Sequence, residues 1–278
     1  MQRGVLVIGT ALLSLYGAAM LTLWWQQESL IFVPTPLPAE HRFKPLPDVQ
    51  ERFIEVPGAR LNALHLQMPQ ARGVVFYLHG NSGNLENWFV NTGFYRSMNM
   101  DLFMLDYRGF GKSTGVNTSE AQLLADAQAA WAAIAPLYAG RTVVFIGRSL
   151  GTGVAARMTA AMPEDQRPDL LMLVSPYLSM QAMAKANYPY VPGALLRYPL
   201  HTDEALLAMK GQQPRVVLLH GDRDALIPYA HSETLAQSVP GVQLVRVPGA
   251  GHNDVQAYPA YLDAVRQAIE AAATPLLR

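Results

Sequence analysis

Between residues 52 and 247, eight runs rich in Val, Ile, Leu and Phe alternate with stretches of helical pattern: RFIEV, LNALHL, GVVFYL, DLFMLD, TVVFIG, DLLMLVS, RVVLLH and VQLVRV. Several are apolar on both faces, which suits a strand only when both faces are covered. Covered strands alternating with helices predict a mostly parallel sheet with helices on both sides. NTSEAQLLADAQAAWAAI is the clearest covering helix: Asn117 is placed as its N-cap, Glu120 follows three positions later, and apolar residues return at helical spacing. At 278 residues, half of them hydrophobic, the chain has the length to bury one large α/β core.

Three stretches stand outside that alternation. Residues 4–25, GVLVIGTALLSLYGAAMLTLWW, carry no charge, and at about 1.5 Å per residue they suffice to cross a hydrocarbon core of roughly 30 Å. Arg3 precedes them, no Lys or Arg follows until Arg42, and Trp24 and Trp25 stand where an interfacial aromatic belt lies. This predicts a single-pass anchor with its amino terminus inside and the domain on the non-cytoplasmic side, periplasmic in a bacterium. A signal peptide cleaved after Ala19 is the alternative, although the apolar run continues past the roughly 7–15 residues of an ordinary signal core. Residues 32–47, FVPTPLPAEHRFKPLP, have neither helical nor strand period and read as an extended surface linker. Residues 178–214 exceed what a crossover needs and read as a small cap over the carboxyl ends of the strands. The division is therefore an anchor at 1–28, a linker at 29–49 and a domain at 50–278 with its cap at about 178–214. The 21 Lys and Arg balance 21 Asp and Glu, so no basic field draws in nucleic acid. Without cysteine there is no disulfide framework, thiolate zinc site or Cys nucleophile.

Glycine turns after these strands narrow the chemistry. GTGVAA (151–156) has the spacing of a dinucleotide loop, but its glycines fall inside the helix instead of at the strand end. GFGKST lacks the first glycine of a phosphate loop, since position 106 is Asp. GRSLG (147–151) fits G-x-S-x-G where a strand meets a helix, as a nucleophile elbow requires. Ser149 would take a strained backbone there, with Gly147 and Gly151 allowing strand and helix to approach. A serine needs a base and an acid to orient that base. HGDRDALIP supplies Asp222 and Asp224 past one strand, and PGAGHND supplies His252 past the next. HGNSGN, past an earlier strand, offers free backbone N–H groups, so Asn81 and Leu150 are the expected oxyanion donors. His79 and His220, in HG turns, read as structural. Asp106 reads as a loop brace acting through Arg108, and Asn253 and Asp254 as caps of the last helix. No metal cluster or cofactor loop is present in these motifs.

Taken together, HGNSGN, DYRGFGKS, GRSLG, HGDRDALIP and GAGHND resemble the corresponding segments of the α/β-hydrolase superfamily. With the apolar N-terminal segment, the combination is similar to that superfamily's membrane-anchored, alpha/beta hydrolase domain-containing branch. The likeness runs from about residue 29 to the carboxyl terminus. It implies the α/β-hydrolase fold, an eight-stranded mostly parallel sheet, and a Ser149, Asp224, His252 triad in the family's chain order. The family pattern H-G-x-x-D, laid on His220 and Gly221, selects Asp224 over Asp222. The implied substrates are small-molecule or lipid acyl esters or thioesters. Serine peptidase activity is the alternative within the fold, and a non-catalytic scaffold the alternative outside enzymology. Thr152 departs from the glycine that many members carry, which narrows the packing expected behind the elbow.

Overall fold

The eight expected strands all form: β1 (Val49–Val56), β2 (Ala59–Leu66), β3 (Gly73–Leu78), β4 (Met100–Leu105), β5 (Thr142–Arg148), β6 (Leu170–Val174), β7 (Arg215–Gly221) and β8 (Gln243–Val247). In this computed structural model, which describes residues 2–209, 211 and 214–273, they make one sheet in the order β8-β7-β6-β5-β3-β4-β2-β1. β2 is antiparallel to both neighbours and every other pairing is parallel. The chain leaves β3 for β4 on one side and returns to β5 on the other. Open α/β sheets place their ligand crevice at such a switch point, outside the carboxyl ends of the strands.

Strand alternation divides the core in two. Val74, Phe76 and Leu78 of β3 face one hydrophobic cluster, while Val75 and Tyr77 face the other. Phe76 stacks on Phe103 with ring centroids 5.5 Å apart, and Trp131 meets Phe145 edge-on at 4.9 Å. The Trp131 layer holds helices Glu120–Ala132, Leu150–Ala161, Thr202–Ala208 and Ala230–Ser238. Tyr261, Val265 and Ile269 of the Pro259–Ala273 helix cover the opposite face.

Three expectations change in the folded chain. The Glu120–Ala132 helix is capped by Ser119, whose side chain accepts the Gln122 N–H at 3.2 Å. Asn117 instead donates to the Arg108 carbonyl at 3.3 Å, because two residues of extended backbone separate it from the helix. The cap is smaller than 178–214. Helix Thr202–Ala208 buries Thr202, Ala205 and Leu206 as an ordinary crossover helix, leaving Met180–Asn187 and the Gly193–Leu195 turn as the outlying part; residues 210, 212 and 213 lie outside the described ones.

The third change is the linker, which is docked. After the apolar helix Gln2–Trp25, a short helix Gln27–Ile31 leads into Ile31 and Phe32, both buried. Phe32 meets Tyr198 at 5.2 Å and Phe110 at 6.4 Å. Val33–Pro34 pairs in parallel with Ser82–Gly83. Val33, Thr35 and Leu37 donate their N–H groups to Asn81, Gly83 and Gly111, at 2.7, 3.0 and 2.7 Å. Prolines 34, 36 and 38 occupy the intervening positions, where an extended edge segment points its nitrogen away from its partner. The prolines that removed any helical period are thus compatible with an ordered edge, and the folded unit begins near Gln27, not Gln50.

Candidate active site

β5 passes into helix Leu150–Ala161 through a single residue. Ser149 has φ 51° and ψ −120°, a conformation that costs a non-glycine residue on the order of 1–3 kcal/mol. Surrounding packing imposes it. A Cβ on Gly147 would collide with the Gly151 carbonyl, and one on Gly151 with the Leu78 carbonyl, so the turn closes only with glycine at both places. Ser149 N–H donates to the Val174 carbonyl at 2.9 Å, and Thr152 Oγ1 donates to the Ser149 carbonyl at 2.7 Å. Thr152 therefore ties the elbow down.

At this turn Ser149 Oγ lies 3.1 Å from His252 Nε2, and His252 Nδ1 lies 2.7 Å from Asp224 Oδ2. The carboxylate is held from several sides. Its Oδ1 accepts the N–H groups of Leu226 and Ile227 at 2.9 and 2.8 Å, and His220 Nε2 lies 3.2 Å from Oδ2. Burial by itself would raise the Asp224 pKa, but hydrogen bonds from His220, His252 and the Ile227 amide outweigh it and hold the carboxyl well below its ordinary range. His220 is structural as expected, contacting Ser232 Oγ at 2.6 Å and the Ile227 carbonyl at 2.9 Å.

Asp222 points elsewhere. One oxygen takes Arg246 Nε and Nη2 at 2.8 and 2.6 Å, and the other accepts the Gly249 N–H at 2.7 Å. The two aspartates of one turn thus divide the work, Asp224 reaching the imidazole and Asp222 bracing the loop that carries it. Asp254 braces the same loop by accepting the Gly251 N–H at 2.7 Å. Asp254 does not cap the last helix, because a short turn at Val255–Ala257 intervenes before Pro259.

The turn after β3 runs beside Ser149: a Cβ on Gly80 would lie 3.6 Å from the Ser149 Cβ. Asn81 comes next. Its carbonyl accepts the Val33 N–H at 2.7 Å and its side chain donates to the Ile31 carbonyl at 3.0 Å, so the segment leaving the apolar helix grips this turn directly. Leu150 opens its helix, where N–H groups have no intrahelical acceptor.

Other contacts were not readable in the motifs. Arg148 Nη2 donates to the His252 carbonyl at 2.8 Å, while its guanidinium lies 5.0 Å from the Trp88 ring, which stacks on His79 at 5.6 Å. Arg148 occupies the unconstrained position of G-x-S-x-G, so the motif carried no signal for it. His79 is structural, its Nδ1 being 2.7 Å from the Gly80 carbonyl. Arg108 does not serve Asp106. It pairs with buried Asp126 through Nε and Nη2 at 2.5 and 2.9 Å, while Asp106 lies 3.3 Å from His79 Nε2. Asp126 sits on a helix face, and only packing brings it to Arg108.

Comparison with known proteins agrees with this architecture. Residues 69–201 match the family model described as serine aminopeptidase, S33, and residues 196–272 match the one described as TAP-like protein. An uncharacterized protein of Mycobacterium tuberculosis is 28% identical, over 92% of each chain. Alpha/beta hydrolase domain-containing protein 17C of Xenopus tropicalis is 28% identical over 72% of this chain and 63% of that protein. A Pyrococcus furiosus esterase superposes with a TM-score of 0.69 and 16% identity, over 88% of this chain and 98% of that one. By strand order and elbow geometry the chain has the α/β-hydrolase fold, and by these matches it resembles the members of that superfamily.

Proposed function

We propose that this chain is a serine hydrolase of acyl esters or thioesters, anchored to a membrane by its N-terminal helix. The observation that carries the reading is the unbroken relay Ser149 Oγ, His252, Asp224 at a strained elbow. Ser149 Oγ attacks the acyl carbonyl carbon as its proton passes to His252 Nε2, and the carbonyl oxygen becomes an oxyanion. The N–H groups of Asn81 and Leu150 stabilise that charge; one such donor typically contributes about two to three orders of magnitude in rate. When the oxyanion collapses, the bond to the leaving alcohol or thiol breaks, and His252 returns the proton to it. Water, deprotonated by the same imidazole, then attacks the acyl-enzyme, releasing the acid and restoring Ser149. Asp224 stays ionised throughout, keeping the Nδ1–H tautomer and stabilising the imidazolium. The scheme needs no metal or cofactor.

The anchor rests on residues 5–25, a helix with mean hydropathy 1.9 and none of its span buried. Its proposed orientation, with the domain on the non-cytoplasmic side, depends on Arg3, whose side chain lies outside the described residues. A serine peptidase is the second reading, favoured by the description of the model matched over residues 69–201.

Labelling with a fluorophosphonate, followed by peptide mapping, tests the serine mechanism. An adduct on Ser149 in folded protein is expected, and its absence would favour a scaffold. p-Nitrophenyl esters of graded chain length, run beside peptide amides, separate esterase from peptidase.

A further inference from the structure

The outlying part of the cap lies against the apolar helix. From residue 186 to 196, ANYPYVPGALL, the cap carries no charge, and its two tyrosines project outward, Tyr188 being 62% exposed and Tyr190 84%. Tyr16, inside the apolar helix, donates its hydroxyl hydrogen to the Tyr190 carbonyl at 2.9 Å. Nearer the domain the fastening continues. Gln27 donates to the Leu195 carbonyl at 2.6 Å and accepts the Arg197 N–H at 2.9 Å, and Tyr198 donates to Glu28 at 3.0 Å. Arg197 pairs with Glu28 and lies 4.8 Å from the Trp24 ring.

These contacts fix a depth. Tyr16 precedes Trp25 by nine residues, which is about 13 Å along a helix axis. With Trp24 and Trp25 at the membrane interface, Tyr16 lies well inside a hydrocarbon core of roughly 30 Å, and the Tyr190 backbone lies beside it. The cap segment is suited to that setting. Pro189 and Pro192 have no N–H to leave unpaired, and Val191, Leu195 and Leu196 donate theirs within the segment at 3.0, 3.0 and 3.1 Å.

We infer that residues 188–192 of the cap form a second membrane contact, seated among the acyl chains of the leaflet on the domain's side. The inference rests on the anchored reading above and extends it. The cap would border lipid as well as the carboxyl end of the sheet, so an acyl chain would reach the site from the bilayer.

Because the chain has no cysteine, one nitroxide can be attached at a time to full-length protein in phosphatidylcholine vesicles. Collision with oxygen, which concentrates in lipid, is compared with collision with a water-soluble nickel chelate. Tyr190→Cys and Tyr188→Cys report on the cap, Leu13→Cys on the anchor, and Val116→Cys, on an exposed loop, on water. Leu13 and Val116 are 75% and 69% exposed, and hydrogen bonding at Tyr190 uses its backbone carbonyl, so these labels disturb little packing. Labels at 13, 188 and 190 should favour oxygen, reversing the preference at 116. If label 13 favours oxygen while 188 and 190 behave like 116, the second contact is wrong and the anchor stands. If label 13 also favours nickel, the anchored reading fails and takes the cap contact with it.

Discussion

Ser149, Asp224 and His252 each lie just past a parallel strand, whereas Phe32, Val33 and Thr35 reach the same end of the sheet from a segment without recognisable period. Both regions are ordered by hydrogen bonds of similar length, but the causes differ. The first is aimed by backbone: once β5, β7 and β8 are in register, the turns at their ends have few places to go. The second is held by fit. Phe32 finds a space between Phe110 and Tyr198, and alternate N–H groups find acceptors on the turn at residues 81–83 and on Gly111. Residues aimed by a regular element leave a pattern in the sequence, and residues held by fit leave little.

Ser149→Ala should break the first region most completely. Turnover should fall by about 10⁴-fold or more, as in hydrolases that lose their nucleophile, while circular dichroism stays unchanged because Ala occupies the same elbow. Activity near that of the unmodified chain would remove Ser149 from the reaction. Asp224→Asn should follow at about 10⁴-fold in kcat, through loss of the correct imidazole tautomer. Asp222→Asn should act on the stability of the 249–254 loop far more than on kcat, since Asp222 meets Arg246 and Gly249 instead of the imidazole. The reverse ranking would exchange the two aspartates.

Phe32→Ala addresses the second region. Truncating a buried phenylalanine costs about 3–5 kcal/mol, and Phe32 is 5% exposed, so chemical unfolding in detergent should show a loss of that order. A change under about 0.5 kcal/mol, the usual range for surface positions, would restore the free-linker reading.

The smallest effect comes from the opposite end of the sheet and separates stability from catalysis. His65 is buried with Nε2 2.6 Å from Tyr138 Oη, whose hydroxyl donates to Asp101 at 2.8 Å, and its Nδ1 has no partner. Burial first, and the charge of Arg52 second, push its pKa down to about 3. The unfolded chain takes up this proton near pH 6.5 and the folded chain does not, so stability falls as pH drops from 6.5 towards 3. Between pH 6.5 and 5.5 His65 should cost about 1 kcal/mol, and His65→Gln should remove that share, leaving what His231 adds, since burial and the charge of His220 lower its pKa in the same direction. The depressed pKa of Asp224 adds stability that is present above the ordinary carboxylate range and lost only at lower pH, so it does not contribute in this window. A slope undiminished in His65→Gln would assign the acid sensitivity elsewhere.

The sheet and the elbow were legible because each depends on a short-range rule: apolar runs need cover on two faces, and a strained serine needs small neighbours. Asp222 and Asp224 follow the same strand, so only the family pattern H-G-x-x-D distinguished them. Even the ordered edge at residues 33–38 left a trace in its alternating prolines, although a reading for continuous helical or strand period treats proline only as a breaker. What tertiary structure alone decided were pairings between distant segments. Arg108 chose Asp126 over Asp106, Arg148 reached the His252 carbonyl, and Asn81 joined the segment that leaves the apolar helix. A charge or an amide finds its partner by distance in space, and that distance exists only after the sheet has brought the segments together.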